Sequence, residues 1–237
     1  MSNDFWNRIY CGPPPDPPDL WSSWNFDPAV LGGLLVLTVF TGRDRFGLAA
    51  LLVLAVAFVS PLCALSSSLF SARVVHHVLL TAVAAPLLAM CWPSSRAGPI
   101  MAPFVVSTVV FWFWHAPAAY DSALSHVGVY WLMQLSLLAS AAWFWRAVLG
   151  PAQSPVDALT FVILGFAQMG LLGALLTFTP EPLYAAHMLA PYQWGLSPLE
   201  DQQLGGLLMW IPAALPFAVA GFAAARRGSA QIRGGAS

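Results

Sequence analysis

The side chains with the most versatile donor atoms in this sequence are five histidines (His76, His77, His115, His126 and His187), three cysteines (Cys11, Cys63 and Cys91) and seven methionines. Imidazole binds copper in either oxidation state, while thioether and thiolate prefer Cu(I). His76 and His77 are adjacent, so on a helix they point about 100° apart and cannot face one site equally. Arg73 and His77 are spaced i, i+4 and share a face. Met209 follows Gln202 by two helical turns on one face, and Gly205 and Gly206 between them leave room for a neighbour to approach. Met169, flanked by Gly165 and Gly173, reads as a helix-packing residue.

Two stretches concentrate polar chemistry. In Trp114-His115-Ala116-Pro117, the proline disfavours helix at Ala116, which predicts a helix ending at His115. The imidazole then sits at a helix C-terminus, free to reach a metal or a carboxylate, with Tyr120 and Asp121 in the turn that follows. An interfacial aromatic belt of Trp112, Trp114 and Tyr120 is the plainer reading. In Glu200-Asp201-Gln202-Gln203, Asp201 is expected to cap the start of a helix, where a carboxylate suits the dipole. The cysteines are scattered and odd in number, with no CxxC, so neither a zinc knuckle nor a disulfide framework is expected. No Ser-His-Asp or paired-carboxylate arrangement supports an enzyme.

The elements that must position these groups follow from composition. Apolar residues make up 59% of the 237 and charged residues only 8%, against about 25% in soluble domains. Such a chain faces lipid. All nine basic residues are arginine and the net charge is −1, so no basic face indicates nucleic acid. The polar, proline-rich start lacks a basic and apolar leader, and no cleaved signal peptide is expected. Six segments, near 46–66, 70–92, 99–117, 126–149, 156–178 and 202–225, reach the roughly 20 apolar residues of a span. A shorter seventh, 27–41, opens on Asp27-Pro28 and stops at Gly42, an N-cap with proline and a glycine stop.

Arginine placement orients the set. With seven alternating spans, Arg43, Arg45, Arg96, Arg146, Arg226, Arg227 and Arg233 fall on one side, and Arg8 and Arg73 on the other. The reading is an all-α, polytopic integral membrane protein, a seven-transmembrane-helix bundle with the N-terminus outside and the C-terminus cytoplasmic. Residues 1–26 form an external tail, 27–225 the bundle, and 226–237 a short disordered cytoplasmic tail. All five histidines then lie toward the outer face. The inner halves of the spans are poor in comparable groups, Cys91 being the main one.

Several segments, in order, resemble the multi-span cytochrome c oxidase assembly factor CtaG family of caa-type oxidases. They are Trp24 with Asp27-Pro28; Ser60-Pro61-Leu62; His77-Val78-Leu79-Leu80; Pro86-Leu87-Leu88; Trp114-His115-x-Pro117-x-x-Tyr120-Asp121; Phe144-Trp145; Leu172-Gly173; Pro182-Leu183-Tyr184; and Asp201-Gln202-Gln203-x-Gly205-Gly206-x-x-Met209-Trp210. The last is the most specific. The resemblance implies a non-enzymatic, multi-pass protein of the bacterial plasma membrane that helps assemble a haem–copper oxidase. Its implied partners are oxidase subunits, a periplasmic copper donor and the lipid bilayer. Its implied task is binding copper and delivering it at the outer face.

The chain also departs from that pattern. Many members carry histidine where this chain has Arg73, and a second histidine pair where it has Tyr130 and Gln134. The smaller metal site left uses His77 and His115, with His76 and Met209 as further candidates and Asp201, Gln202, Tyr120 and Asp121 to orient the imidazoles. Two other functions compete: a membrane cytochrome with haem b between His77 and His115, and a copper transporter, which would need polar groups through the full thickness.

Overall fold

A computed structural model describes residues 9–93 and 98–234. Arg8 and Arg96, both used to orient the spans, lie outside these residues. Eleven α-helices, α1 (Pro28–Thr41), α2 (Arg45–Phe58), α3 (Leu62–Ser68), α4 (Phe70–Val78), α5 (Ala85–Cys91), α6 (Met101–His115), α7 (Pro117–Ser125), α8 (Val127–Leu149), α9 (Pro155–Phe178), α10 (Pro198–Trp210) and α11 (Ala214–Gly234), make up the fold. No strand occurs among the described residues.

Four continuous stretches are long and apolar enough to cross a membrane: Phe70–Cys91, Val127–Leu149, Pro155–Phe178 and Pro198–Arg233. Two bent pairs raise the number to six: α2 with α3, at 47°, and α6 with α7, at 74°. α1 is shorter. Large apolar side chains such as Leu35, Leu52, Val109, Leu132, Leu171, Val219 and Phe222 are exposed on the helices. A water-facing surface would not array so many.

Local chemistry explains the boundaries. The Asp27 carboxylate accepts from Ala29 N at 2.7 Å, and Gly42 closes α1 at φ +59°. Asp44 caps α2 through Phe46 N and Gly47 N. The breaks fall at Pro61, Pro117 and Pro212, each lacking the N–H that would continue a helical ladder. α6 does end at His115. The sequence 117–125 is a helix, however, with Pro117 at its first position, rather than the expected turn. Between α4 and α5 the helix widens to π geometry over Leu79–Ala84, just before Pro86. There the Thr81 carbonyl accepts from Trp145 Nε1 of α8 at 2.8 Å.

Three expectations are corrected. Cys11 and Cys63 form a disulfide, because the fold brings the N-terminal segment back to the end of the bundle that holds α3. Residues 226–234 continue α11 instead of fraying, because its Ala and Arg residues are strong helix formers. Asp201 does not cap α10. Ser197 does, in a reciprocal capping box with Glu200.

Packing relies on small residues. A Cβ on Gly206 would stand 2.6 Å from the Gly173 carbonyl oxygen, and one on Gly205 would stand 2.7 Å from the Phe70 ring. α9, α10 and α4 therefore meet backbone to backbone, or backbone to ring. At one end of the bundle, Cys91 lies beside the Thr41 carbonyl, and Arg227 donates to the Gly150 carbonyl at 3.1 Å. Arg43, Arg45, Arg146 and Arg226 belong to the same helix ends. The opposite end holds the histidines and the N-terminal segment.

Candidate functional site

α4 begins inside the protein, and Phe70, Ser71, Arg73, His76 and His77 are all buried on it. Leu69 precedes it and has no capping side chain. The cap comes instead from Asp201 of α10, fully buried, which accepts from Phe70 N at 2.6 Å, Ser71 N at 3.1 Å and the Ser71 hydroxyl. The next residue pins a loop. Gln202 Oε1 accepts from Leu183 N at 2.7 Å, and its Nε2 donates to the Leu176 and Glu181 carbonyls at 3.3 and 3.4 Å.

The loop 179–197 is fastened at further points. Asp121 accepts from Ala185 N and Ala186 N at 3.2 and 3.1 Å, capping the 3-10 turn Ala185–His187. Tyr184 donates to the His115 carbonyl at 3.0 Å, satisfying an orphan acceptor at the end of α6. His187 Nε2 is 2.7 Å from the Tyr120 hydroxyl, and its Nδ1 is 3.3 Å from the Ser68 carbonyl. A carbonyl only accepts, so Nδ1 carries the proton and Nε2 accepts from Tyr120. Burial pushes His187 down to about 4, with the nearby Arg73 charge adding to the shift. His126 is exposed on the rim.

Beneath this loop the imidazoles meet. The His77 and His115 ring centroids are 5.8 Å apart, at 79°. His76 and His77 are 5.9 Å apart, and His76 also meets Phe58 edge-on at 4.9 Å. His115 Nδ1 lies 2.7 Å from the Phe111 carbonyl, so Nδ1 is the donor and Nε2 holds the free lone pair. Arg73 stands over the Tyr130 ring at 5.3 Å, with Nη1 3.5 Å from its hydroxyl, and Gln134 lies one turn further along α8. Arg73, Tyr130 and Gln134, the departures from the family pattern noted in the sequence, thus fall in one place.

Seven buried atoms in this cluster have no hydrogen-bond partner among the described residues: His77 Nε2, both nitrogens of His76, Nε and Nη2 of Arg73, and both amide atoms of Gln134. Each costs about 1–3 kcal/mol if nothing satisfies it.

Of the candidate ligands, the fold thus brings together His76, His77 and His115. Met209 lies in the apolar cluster against Gly173. The polar atoms of Asp201, Gln202, Tyr120 and Asp121 are directed to backbone groups, to Ser71 and to His187 rather than to the His77 or His115 rings. Among the described residues no three His, Cys, Asp or Glu side chains converge as a metal site.

The sequence profile of the cytochrome c oxidase caa3 assembly factor family (Caa3_CtaG) matches residues 41–230. The chain belongs to this family. No curated protein and no solved structure matches it. The matched span of this assembly factor includes every residue of the histidine cluster and the loop above it. Tyr10, Cys11 and the rest of the N-terminal segment lie outside the match, yet they pack onto the same end. Tyr10 stacks on Tyr130 at 4.9 Å and donates to Asp27 at 2.9 Å. Sequence reasoning, which treats residues 1–26 as an external tail, missed this cover.

Proposed function

We propose that this oxidase assembly factor crosses the membrane seven times with its histidine end outside, and that the His77–His115 pair receives Cu(I) there as cargo for the oxidase. The observation that carries the reading is the pair itself: two buried imidazoles 5.8 Å apart, with His77 Nε2 unpartnered and His115 Nε2 left as acceptor. The donor set suits the ion, since imidazole binds Cu(I). An imidazole within a span is costly without a partner, and the ion would be one. Two donors hold cargo less firmly than a closed site, and cargo must leave.

Two independent observations support the orientation. Arginines gather at the end opposite the histidines, as the positive-inside rule requires of a cytoplasmic face. The disulfide Cys11–Cys63 stands at the histidine end while Cys91 at the arginine end is a free thiol, matching oxidising and reducing compartments.

The test is a Cu(I) competition titration on the purified protein. His77→Ala and His115→Ala should each weaken binding at least about ten-fold, equivalent to ~1.4 kcal/mol. If both bind as tightly as wild type, the pair is not the site. Cysteines placed at Ser122 and Ser229 should label from opposite sides with an impermeant reagent; labelling from one side overturns the topology.

A further inference from the structure

The disulfide lies over the histidine cluster, and each of its sulfurs already has a donor beside it. Cys11 Sγ is 3.4 Å from the Tyr130 hydroxyl, and Cys63 Sγ is 3.8 Å from Asn25 Nδ2. The Tyr130 hydroxyl is in turn 3.5 Å from Arg73 Nη1, and Arg73 is one turn from His76 and His77 on α4. Cys11, Cys63, Phe58 and Tyr130 share one buried cluster, and Phe58 is the ring that His76 meets. A cleft of about 770 Å³ opens beside Cys11, with Asp16, Asp19 and Asp27 in its walls. Three carboxylates around one cleft draw cations toward it.

We propose that Cys11 and Cys63, once reduced, form a two-thiolate Cu(I) site at the entrance to the histidine cluster, and that the disulfide is its closed state. The proposal deepens the copper reading of the His77–His115 pair and rests on it for the identity of the ion. A dithiol, such as that of an extracytoplasmic thiol–disulfide carrier, supplies two electrons and two protons. The Cys11–Cys63 bond breaks, two thiols form, and the carrier becomes a disulfide. Cu(I) then displaces both thiol protons and is held between two thiolates without changing oxidation state. Thiolate is the form that binds Cu(I). The Tyr130 O–H and the Asn25 N–H are placed to donate to the two anionic sulfurs. Their Cα atoms, 5.3 Å apart, let both reach one ion, and Tyr130 links that ion to the histidine level through Arg73. After Cu(I) has left and both thiols are reprotonated, the disulfide form of the same carrier takes back two electrons and two protons, becomes a dithiol, and the Cys11–Cys63 bond forms again.

The experiment uses the full chain with Cys91→Ser, which removes the third cysteine sulfur, purified in detergent without oxygen. Oxidised and reduced protein are titrated with Cu(I) against a chromophoric chelator, and X-ray absorption at the copper edge reads sulfur against nitrogen neighbours. Reduced protein should take up one more Cu(I) per chain than oxidised protein, with sulfur neighbours. Cys63→Ser should lose that ion, while His77→Ala/His115→Ala should keep it. Equal uptake in both redox states, or an added ion with nitrogen neighbours only, overturns the proposal. This comparison needs no change at Cys11 or Cys63, so a Cys63→Ser chain that fails to fold leaves it decidable. A sulfur-bound ion beside unaltered binding by the His77→Ala/His115→Ala oxidised protein would sink the histidine-pair reading and leave the dithiol site standing.

Discussion

Two polar regions lie at the histidine end, a few residues apart, and they are built on opposite terms. In the loop region, Asp121, Tyr184, His187, Asp201 and Gln202 reach backbone groups and, for His187 and Asp201, the Tyr120 and Ser71 hydroxyls, so each has the partners its chemistry calls for. In the cluster below, Arg73, His76, His77 and Gln134 are as deeply buried, and seven of their polar atoms have no partner among the described residues. Half-buried Asp121 apart, burial and polarity are alike in the two regions, so neither distinguishes structure from function. Satisfaction does. A fully satisfied network fixes a fold, while a buried unsatisfied one lowers stability, a cost that the copper reading proposed above would account for. Removing a group from the first region should therefore cost stability, and from the second, function.

The largest effect is expected at Asp201. Asp201→Ala leaves two backbone N–H groups and a hydroxyl buried without an acceptor. At about 1–3 kcal/mol for each of these three unsatisfied groups the loss is at least about 3 kcal/mol. Asp201→Asn retains one acceptor oxygen and should lose about half as much. Thermal unfolding in detergent, followed by the monodisperse fraction on size exclusion, ranks the three proteins. An Asp201→Ala protein melting with wild type would erase the distinction between the regions.

Next comes the pH dependence of the loop. His187 lies near 4 in the folded protein and near 6.5 when unfolded. Between those values the unfolded chain binds a proton that the folded chain does not. Its contribution is therefore intact above pH 6.5 and is lost as pH falls toward 4. At ~1.4 kcal/mol per unit, the loss from pH 6.5 to 5 is about 2 kcal/mol. His187→Gln should show a flatter melting profile across that window. Equal slopes in variant and wild type would place the acid sensitivity elsewhere.

What the sequence disclosed, and what it hid, follows the same division between local and distant partners. The ends of α1, the stop at His115 and the room left by Gly205 and Gly206 depend on near neighbours or residue size, and all were legible. So was the family, through motif order. Asp201 was read as a cap from its place before an apolar run. It does cap a helix, but one that begins 131 residues earlier, and no periodicity records such a partner. Likewise, the single spans expected at 46–66 and 202–225 are each broken at a proline, Pro61 and Pro212. His77 and His115 were placed at one depth from topology, and the fold sets their rings face to edge. Arg73, Tyr130 and Gln134 were visible only as departures from a family pattern. Their grouping depends on the Arg73 side chain reaching from α4 to Tyr130 on α8.

The smallest change in stability should come from Gln134→Leu, and that is what makes it informative. Gln134 is 1% exposed and neither amide atom has a partner among the described residues. Leucine is close in volume and adds no polar atom, so replacing an unsatisfied amide should be neutral or stabilising by about 1 kcal/mol. The same substitution at a satisfied position, Gln202→Leu, strips the Leu183 N–H of its acceptor and should cost about 1–3 kcal/mol. The pair of variants holds chemistry and burial constant and changes only whether the amide is used. If the cluster is kept for what it binds, Gln134→Leu should lower oxidase activity in cells at unchanged protein level, whereas Gln202→Leu should lower both together. Equal melting temperatures for the two variants would show that hydrogen bonding does not separate these regions. A stable Gln134→Leu protein that supports full oxidase activity would restrict the working part of the cluster to its histidines.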